Sequence, residues 1–569
     1  MDRQVLLNIR KLSLDFEQDS RKLPALKGID LTLHKGEILA IVGESGSGKS
    51  VTSLSIMGLL PEQTSIYSPD SAIEFYDKGR MIDLLTADET TRAQIRGNRI
   101  AMIFQEPMTS LNPVLTCGEQ VMEAILQHQK LDAIAAKTAT IHLFEQVLLS
   151  NPQAIFSRYP HQLSGGQKQR VMIAMAMSCQ PDILICDEPT TALDVTVQKT
   201  ILELLKQLQQ AYQMGIVFIT HDLNLVADFA DTVAVLYQGQ LVEKGSVSTI
   251  FKQAQHPYTR ALLACRPVLY SKGERLPVVA DFLHGDTIET QKTKADVQIT
   301  KKDSTKLLQV HDLHVWYPTN HNLLGKPVDY YKAVNGVSFE VFKGETLGLV
   351  GESGCGKSTL GRTLLGLIKS HSGKIQYQDK ELTTCNQKEW QLLRKDMQLI
   401  FQDPYASLNP SLTIGEAIAE PLEVHKVYTN HATRKAAVIE LLEKVQLKAD
   451  HYNRYPHQFS GGQRQRIVIA RALALQPSFV ICDESVSALD VSVQAQVLNL
   501  LNELKDSFGF TAIFISHDLS VVRYISDRIM VMQGGRIVES GYANEVYTNP
   551  QSAYTQQLIA AIPKGIVSV

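Results

Sequence analysis

The sequence predicts an α/β fold that occurs twice in one chain. Three observations carry this expectation. Long strings recur in order: GEILAIVGESGSGKS, starting at Gly36, returns as GETLGLVGESGCGKS at Gly344, and ICDEPTTALDVTVQ returns as ICDESVSALDVSVQ. Each glycine-rich string follows a short apolar run, ILAIV or TLGLV, and precedes helix-compatible sequence, which is the strand–loop–helix order of an α/β unit. Two more all-apolar runs, residues 183–186 and 479–482, lead into paired acids; such runs suit parallel strands buried on both faces.

The repeat is of whole domains, because its period far exceeds a solenoid unit. Ser164 and Ser460, Asp187 and Asp483, and His221 and His517 are each 296 positions apart. Gln105 and Gln402 are 297 apart and Gly43 and Gly351 are 308 apart, so the length differences fall mainly upstream of the glutamine. Motif and periodicity lapse between the halves, where QKTKADVQITKKDSTK is strongly polar. This predicts a first domain over 1–267, a flexible linker over 268–306 and a second domain over 307–569. A flexible linker of about 40 residues has a root-mean-square span of roughly 35 Å and would hold the halves at roughly millimolar effective concentration.

Composition narrows the class. The 569 residues are 44% hydrophobic with a formal net charge of −3, so charge does not call for nucleic acid or an acidic surface as partner. No apolar run approaches the roughly 20 residues that span a bilayer, and MDRQVLLNIRKLSLDF alternates like a strand, unlike a signal peptide. The seven cysteines are scattered without a C-x-x-C pair, which argues against structural zinc or an iron–sulfur cluster and for a reducing compartment.

The glycine-rich strings fit G-x-x-x-x-G-K-[ST]. Gly43, Ser45, Gly46, Gly48, Lys49, Ser50 and Val51 in one half, and Gly351, Ser353, Gly354, Gly356, Lys357, Ser358 and Thr359 in the other, are the candidate ATP contacts. Glycines let backbone N–H groups approach phosphates, and the helix N-terminus adds its dipole. Lys49 and Lys357 would reach the β- and γ-phosphates, and Ser50 and Ser358 would hold Mg²⁺. Of the paired acids, Asp187 and Asp483 suit Mg²⁺, while Glu188 and Glu484 are placed to polarise the attacking water. A positioned general base contributes about 10²–10⁴ in rate.

Ser164-Gly165-Gly166-Gln167 and Ser460-Gly461-Gly462-Gln463, set between a P-loop and an acid pair with a lone histidine downstream, resemble the signature of ATP-binding-cassette (ABC) proteins. The resemblance covers nearly the whole chain outside the linker. It implies a RecA-like core, an antiparallel β subdomain and an α-helical subdomain in each half. It also implies that Gln105 and Gln402 touch Mg²⁺ or the water, that His221 and His517 act at the γ-phosphate, and that Asp194 and Asp490 form D-loops. Phe16 and Tyr317 resemble the aromatic that stacks on adenine. In the family each ATP lies between the P-loop of one half and the signature of the other, which implies an intramolecular dimer with two composite sites. Ser485 departs from the usual proline, present at Pro189, and only a local backbone effect is expected. Cys355 inside the second P-loop is expected to make that site selectively sensitive to thiol reagents, with ATP protecting it.

FQEPMTSLNP and FQDPYASLNP, YPHQ before each signature, and His256-Pro-Tyr-Thr-Arg after the first cassette look like the ATPases of oligopeptide, dipeptide and nickel importers, with a D-type subunit fused to an F-type. The resemblance implies two separate integral-membrane permease subunits, a substrate-binding protein beyond them, no nucleic acid, and a peripheral place on the cytoplasmic face of the inner membrane. Only Cys265 lies where some D-type subunits carry a cysteine cluster, so ATP and Mg²⁺ are expected without iron–sulfur or zinc. Peptides are the first cargo expectation, nickel or glutathione the second. Tandem cassettes also act on ribosomes and DNA, but the short linker, the paired histidines and the absence of zinc cysteines favour transport.

Overall fold

The computed structural model describes residues 4–18, 21–105, 110–191, 193–283, 305–321, 327–487 and 489–562. The chain forms two compact units whose main bodies meet in sequence between Leu263 and Ala264.

The first unit is built around a six-stranded sheet in the order Ile100–Ile103, Ile183–Asp187, Gly215–Thr220, Ile38–Val42, Thr232–Tyr237 and Gln240–Ser246. The first five strands run parallel and the last pairs antiparallel. ILAIV and ILICD are buried throughout, as their unbroken apolar sequence requires. A second, antiparallel sheet pairs Val5–Gln18 with Arg21–His34, Ser65–Tyr67 and Ala72–Asp77, which in turn pairs with Arg80–Asp83. A helical region contributes Cys117–His128, Ala133–Gln146 and Gly165–Met177.

The second unit repeats this plan. Its main sheet runs Met397–Ile400, Phe479–Asp483, Thr511–Ser516, Thr346–Val350, Arg528–Gln533 and Arg536–Tyr542. The antiparallel sheet begins with the long pair Lys306–His321 and Pro327–Phe342. In both units the glycine-rich strand lies between two strands that come much later in sequence. The loops at its C-terminal end therefore open at a topological switch point, where α/β sheets bind ligands.

Two local expectations change. Val121, Met122, Ile125 and Leu126 recur at helical spacing within residues 118–130, which predicts a helix with these four on its apolar face. The helix ends at His128, and Leu126 is 40% exposed while Val121 and Ile125 are buried. Four apolar positions at that spacing span more arc than the buried stripe covers, and Leu126 falls on its edge.

The linker expected from residue 268 is structured up to Leu283 and packs within the second unit. The carboxamide of Asn499 accepts from the N–H of Leu276 at 2.9 Å and donates to its C=O at 2.8 Å. The Tyr524 hydroxyl donates to the Glu274 carbonyl at 2.7 Å, and Lys272 pairs with Asp527 at 2.8 Å. Leu276 is fully buried in the core of the second unit. This clasp has no sequence periodicity because its partners are side chains more than 220 positions away. The rest of the expected linker, 284–304, lies outside the described residues.

Candidate nucleotide sites

Each glycine-rich loop leads into a helix, Lys49–Met57 or Lys357–Leu364. Gly48 and Gly356 precede these helices with φ of 103° and 108°, conformations open to glycine and strained for other residues. Ser45, Gly46, Ser353 and Gly354 form the exposed outer turns, and Val51 and Thr359 are half-buried behind them. Lys49 Nζ donates to the carbonyls of Gly43 and Glu44 at 2.8 and 2.9 Å. Lys357 does the same with Gly351 and Glu352 at 2.7 and 2.9 Å. Both ammonium groups are thus buried beside their own loops, held by backbone oxygens that phosphate oxygens can replace.

Ser50 Oγ donates to Asp187 Oδ1 at 3.1 Å, and Ser358 Oγ to Asp483 Oδ1 at 2.7 Å. Paired hydroxyl and carboxylate oxygens are hard donors that fit Mg²⁺. When bound with nucleotide, Mg²⁺ would supply charge neutralisation on the phosphates. Burial pushes the Asp187 carboxyl up to about 6, against the Ser50 hydrogen bond. Burial raises Asp483 likewise.

The next residue behaves oppositely. Burial would raise Glu188, but the hydrogen bond and charge of His221, followed by Lys49, outweigh it and hold the carboxyl at about 2. His221 Nδ1 lies 3.1 Å from Glu188 Oε2, Gln105 Nε2 donates to the same oxygen at 3.2 Å and Thr191 Oγ1 at 2.9 Å, while Lys49 Nζ stands 4.0 Å from Oε1. Glu484 is lowered in the same way, against burial, by His517 and Lys357. Gln402 donates to Glu484 Oε2 at 2.9 Å, and His517 Nδ1 is 3.6 Å away. Adjacent carboxyls pushed apart in this manner divide naturally into a metal ligand and an ionised base.

Glu188 and Glu484 share a left-handed φ of 47°, uncommon for a non-glycine residue. Each N–H donates to the neighbouring strand, to Ile219 or Ile515, at 3.0 Å. The backbone angle is the same before Pro189 and before Ser485, so the departure at Ser485 leaves the glutamate's placement intact.

The signature residues start the helices Gly165–Met177 and Gly461–Leu473. Ser164 and Ser460 are N-caps in capping boxes closed by Gln167 and Gln463. Gly165 and Gly461 are exposed at the turn. A Cβ on Gly166 would meet Val197 Cγ1 at 2.8 Å, and one on Gly462 would meet Val493 Cγ1 at 2.2 Å. Asp194 and Asp490 immediately precede the helices Val195–Tyr212 and Val491–Phe508. Phe16 and Tyr317 lie on Val5–Gln18 and Lys306–His321, interior strands of the antiparallel sheets, opposite Leu23 and Tyr331, and the Tyr331 hydroxyl donates to the Gly354 carbonyl at 2.8 Å.

Lysine, serine, aspartate, glutamate, glutamine and histidine therefore come together twice, as their sequence order implies. Three contacts were not anticipated. Thr191 reaches Glu188, whereas Ser487 at the matching position bonds to the Glu484 backbone carbonyl at 2.9 Å. Tyr258 and Tyr554 reach the P-loop backbones. The signal for the tyrosines was available, since they share the 296-residue spacing of the other paired residues.

The ABC transporter family model matches residues 26–191 and 334–487, and the model for the C-terminal region of oligopeptide/dipeptide transporters matches 242–283 and 538–565. The glutathione import ATP-binding protein GsiA of Escherichia coli strain K12 is 48% identical over 564 residues, covering 99% of this chain and 90% of that protein. GsiA of Pectobacterium atrosepticum is 47% identical, covering 98% and 89%. Among solved structures, the dimeric bacterial ABC transporter cassette MJ0796 is 27% identical over 42% of this chain and 98% of its own, with a TM-score of 0.38. Matched over most of each half by one model and over nearly its full length by relatives of the same build, the chain belongs to the ABC transporter family, as an ATP-hydrolysing ATP-binding protein with two cassettes in one polypeptide.

Proposed function

We propose that this chain is the energy-coupling ATPase of a peptide importer. Its two nucleotide-binding halves are joined through a segment whose first part, up to Leu283, packs within the second half. Lys49 and Lys357 hold phosphates, the Ser50–Asp187 and Ser358–Asp483 pairs with Gln105 and Gln402 hold Mg²⁺, and Glu188 and Glu484 act as bases on the attacking water. His221 and His517 stand at the γ-phosphate, and Phe16 and Tyr317 against the adenine. Residues 164–167 of one half close over the ATP of the other, beside the D-loops Asp194 and Asp490. The observation that carries this reading is the recurrence of a glutamine and a histidine at the carboxylate of both Glu188 and Glu484.

The work goes to two separate membrane permease subunits and, through them, to a substrate-binding protein, with this chain on the cytoplasmic face of the inner membrane. Among the described residues no helix is long and apolar enough to cross a membrane. A groove of about 310 Å³ in the second unit supports the partner. Leu367, Trp390, Phe401 and Val424 give it an apolar floor, Arg394 and Glu420 a charged rim, and Phe401 directly precedes Gln402. Such a groove suits a short amphipathic helix of a permease, docked where it senses the glutamine. The oligopeptide/dipeptide C-terminal regions and the glutathione import relatives support a peptide cargo, glutathione first among candidates.

The test is a pull-down of the tagged chain from detergent-solubilised membranes of its host, followed by reconstitution with whatever permease accompanies it. Two permease subunits, with ATPase stimulation by a binding protein loaded with glutathione, support the full reading. Stimulation by other peptides alone moves the cargo within the class. Ribosomal or DNA-repair proteins without a permease overturn the transport assignment.

A further inference from the structure

The C-terminal extension of each unit reaches back to the glycine-rich loop. The Glu44 N–H donates to the Tyr258 hydroxyl at 2.9 Å, and the Glu352 N–H donates to the Tyr554 hydroxyl at 3.0 Å. Tyr258 is fully buried and Tyr554 is 7% exposed. The peptide group that each tyrosine engages also carries the Gly43 or Gly351 carbonyl, which accepts from Lys49 or Lys357. One peptide plane in each loop is thus held from both ends, by a phenol at its N–H and by the loop lysine at its C=O.

The tyrosines are delivered by matching scaffolds. They sit on the helices Pro257–Ala264 and Ala553–Ala561. The entry to each helix is fixed by a glutamate of the preceding strand. Glu243 accepts from the N–H groups of Gln255 and His256 at 2.8 and 3.1 Å, and Glu539 from those of Gln551 and Ser552 at 2.7 and 3.0 Å. Core packing alone would be served by phenylalanine. A hydroxyl aimed at the same loop peptide in two halves that differ elsewhere indicates a shared function of the hydrogen bond.

We propose that Tyr258 and Tyr554 are positioning residues for nucleotide binding. Each hydroxyl fixes the first peptide plane of its P-loop, and with it the path of the loop and the resting place of its lysine. Without the hydroxyl, a half-buried N–H loses its acceptor and the plane can rotate, so the loop must be ordered at the expense of ATP affinity. The inference rests on reading the two loops as phosphate cradles.

The experiment uses the full chain with Tyr258→Phe, Tyr554→Phe and the double variant. Tyr237→Phe is the control: its ring packs 4.3 Å from that of Tyr258, but its hydroxyl accepts from the Gln238 amide at 3.0 Å. KM and kcat for ATP and the ATP-dependent rise in thermal midpoint are measured. Losing an acceptor for a half-buried N–H in each loop predicts a rise in KM of about tenfold in the double variant, with a matching loss of ATP-dependent stabilisation, kcat within about twofold, and no change in the control. Unchanged KM and ATP-dependent stabilisation overturn the proposal, whatever happens to the nucleotide-free midpoint. Lys49→Ala and Lys357→Ala run alongside. If they bind ATP normally, the cradle reading itself fails; if they lose ATP while the tyrosine variants do not, only the tyrosine inference fails.

Discussion

Gln105 donates its side-chain amide to the carboxylate of Glu188 across 3.2 Å, joining the residue that leads into the helical region to the acid at the end of a core strand. Gln402 and Glu484 repeat the link at 2.9 Å. The glutamine is therefore engaged with the base itself. A movement of the helical region that drew the glutamine away would release an acceptor site on the carboxylate at the oxygen His221 also approaches. In the second unit Phe401, which lines the groove, directly precedes the Gln402 that bonds to Glu484.

Glu484→Gln and Glu188→Gln keep the shape of this network but remove the base. Steady-state ATP turnover at the altered site should fall about 10²–10⁴-fold, with ATP binding retained because the lysine and loop are untouched. The double variant should lose nearly all turnover and still bind two nucleotides by equilibrium dialysis. Near-normal hydrolysis in either single variant, with transport intact, would contradict a model of two active sites.

Gly166→Ala and Gly462→Ala test the close approach at the signature helices. In an open helix, replacing glycine by alanine stabilises by about 1 kcal/mol. Here the new methyl would collide with Val197 at 2.8 Å or Val493 at 2.2 Å, so the sign should reverse to a loss of about 1–3 kcal/mol, larger at Gly462. Val493→Ala added to Gly462→Ala should restore most of the loss in urea unfolding. A stabilised single variant would show that the helices separate freely.

The cradle and acids were legible in the sequence because their chemistry demands contiguous residues: a loop that wraps phosphate, and an acid pair at the end of a buried strand. What was illegible depends on distant partners. Nothing local distinguishes Thr191, whose hydroxyl turns to the Glu188 carboxylate, from Ser487, whose hydroxyl turns to its own backbone. The Tyr258 hydroxyl finds its partner 214 positions away. Polar residues 271–275 resemble a linker until Asn499 and Tyr524 are placed beside them.

The clasp gives a third prediction. Asn499→Ala leaves the buried N–H and C=O of Leu276 without partners, which should cost about 1–3 kcal/mol in the second unit's stability. Hydrogen exchange at Leu276 and limited proteolysis between residues 265 and 283 should both accelerate. Glu203, at the matching position of the first unit, is exposed, and Glu203→Ala should stay within about 0.5 kcal/mol. Equal effects at the two positions would mean that the clasp adds nothing to the fold.

Cys355 stands where the first loop has Ser47, with Lys357 Nζ at 4.0 Å from its sulfur. Burial pushes its thiol up, and the neighbouring lysine charge offsets this only in part. Thiolate is the reactive form, so a raised pKa makes maleimide labelling slow at neutral pH and faster as pH rises, by about tenfold per unit while pH stays below the thiol's pKa. This tempers the sensitivity expected from a cysteine in a phosphate loop. Adduct formation at Cys355, followed by mass spectrometry of the peptide, should climb with pH, be blocked by saturating ATP and track loss of turnover at the second site. Cys355→Ser, which copies the first loop, should remove that loss and keep ATP hydrolysis within about twofold, since the exchange is nearly isosteric and the matching serine is already buried in the other loop. Rapid labelling at neutral pH would contradict a raised thiol pKa, and labelling that ATP does not slow would show that this thiol lies outside the nucleotide's footprint.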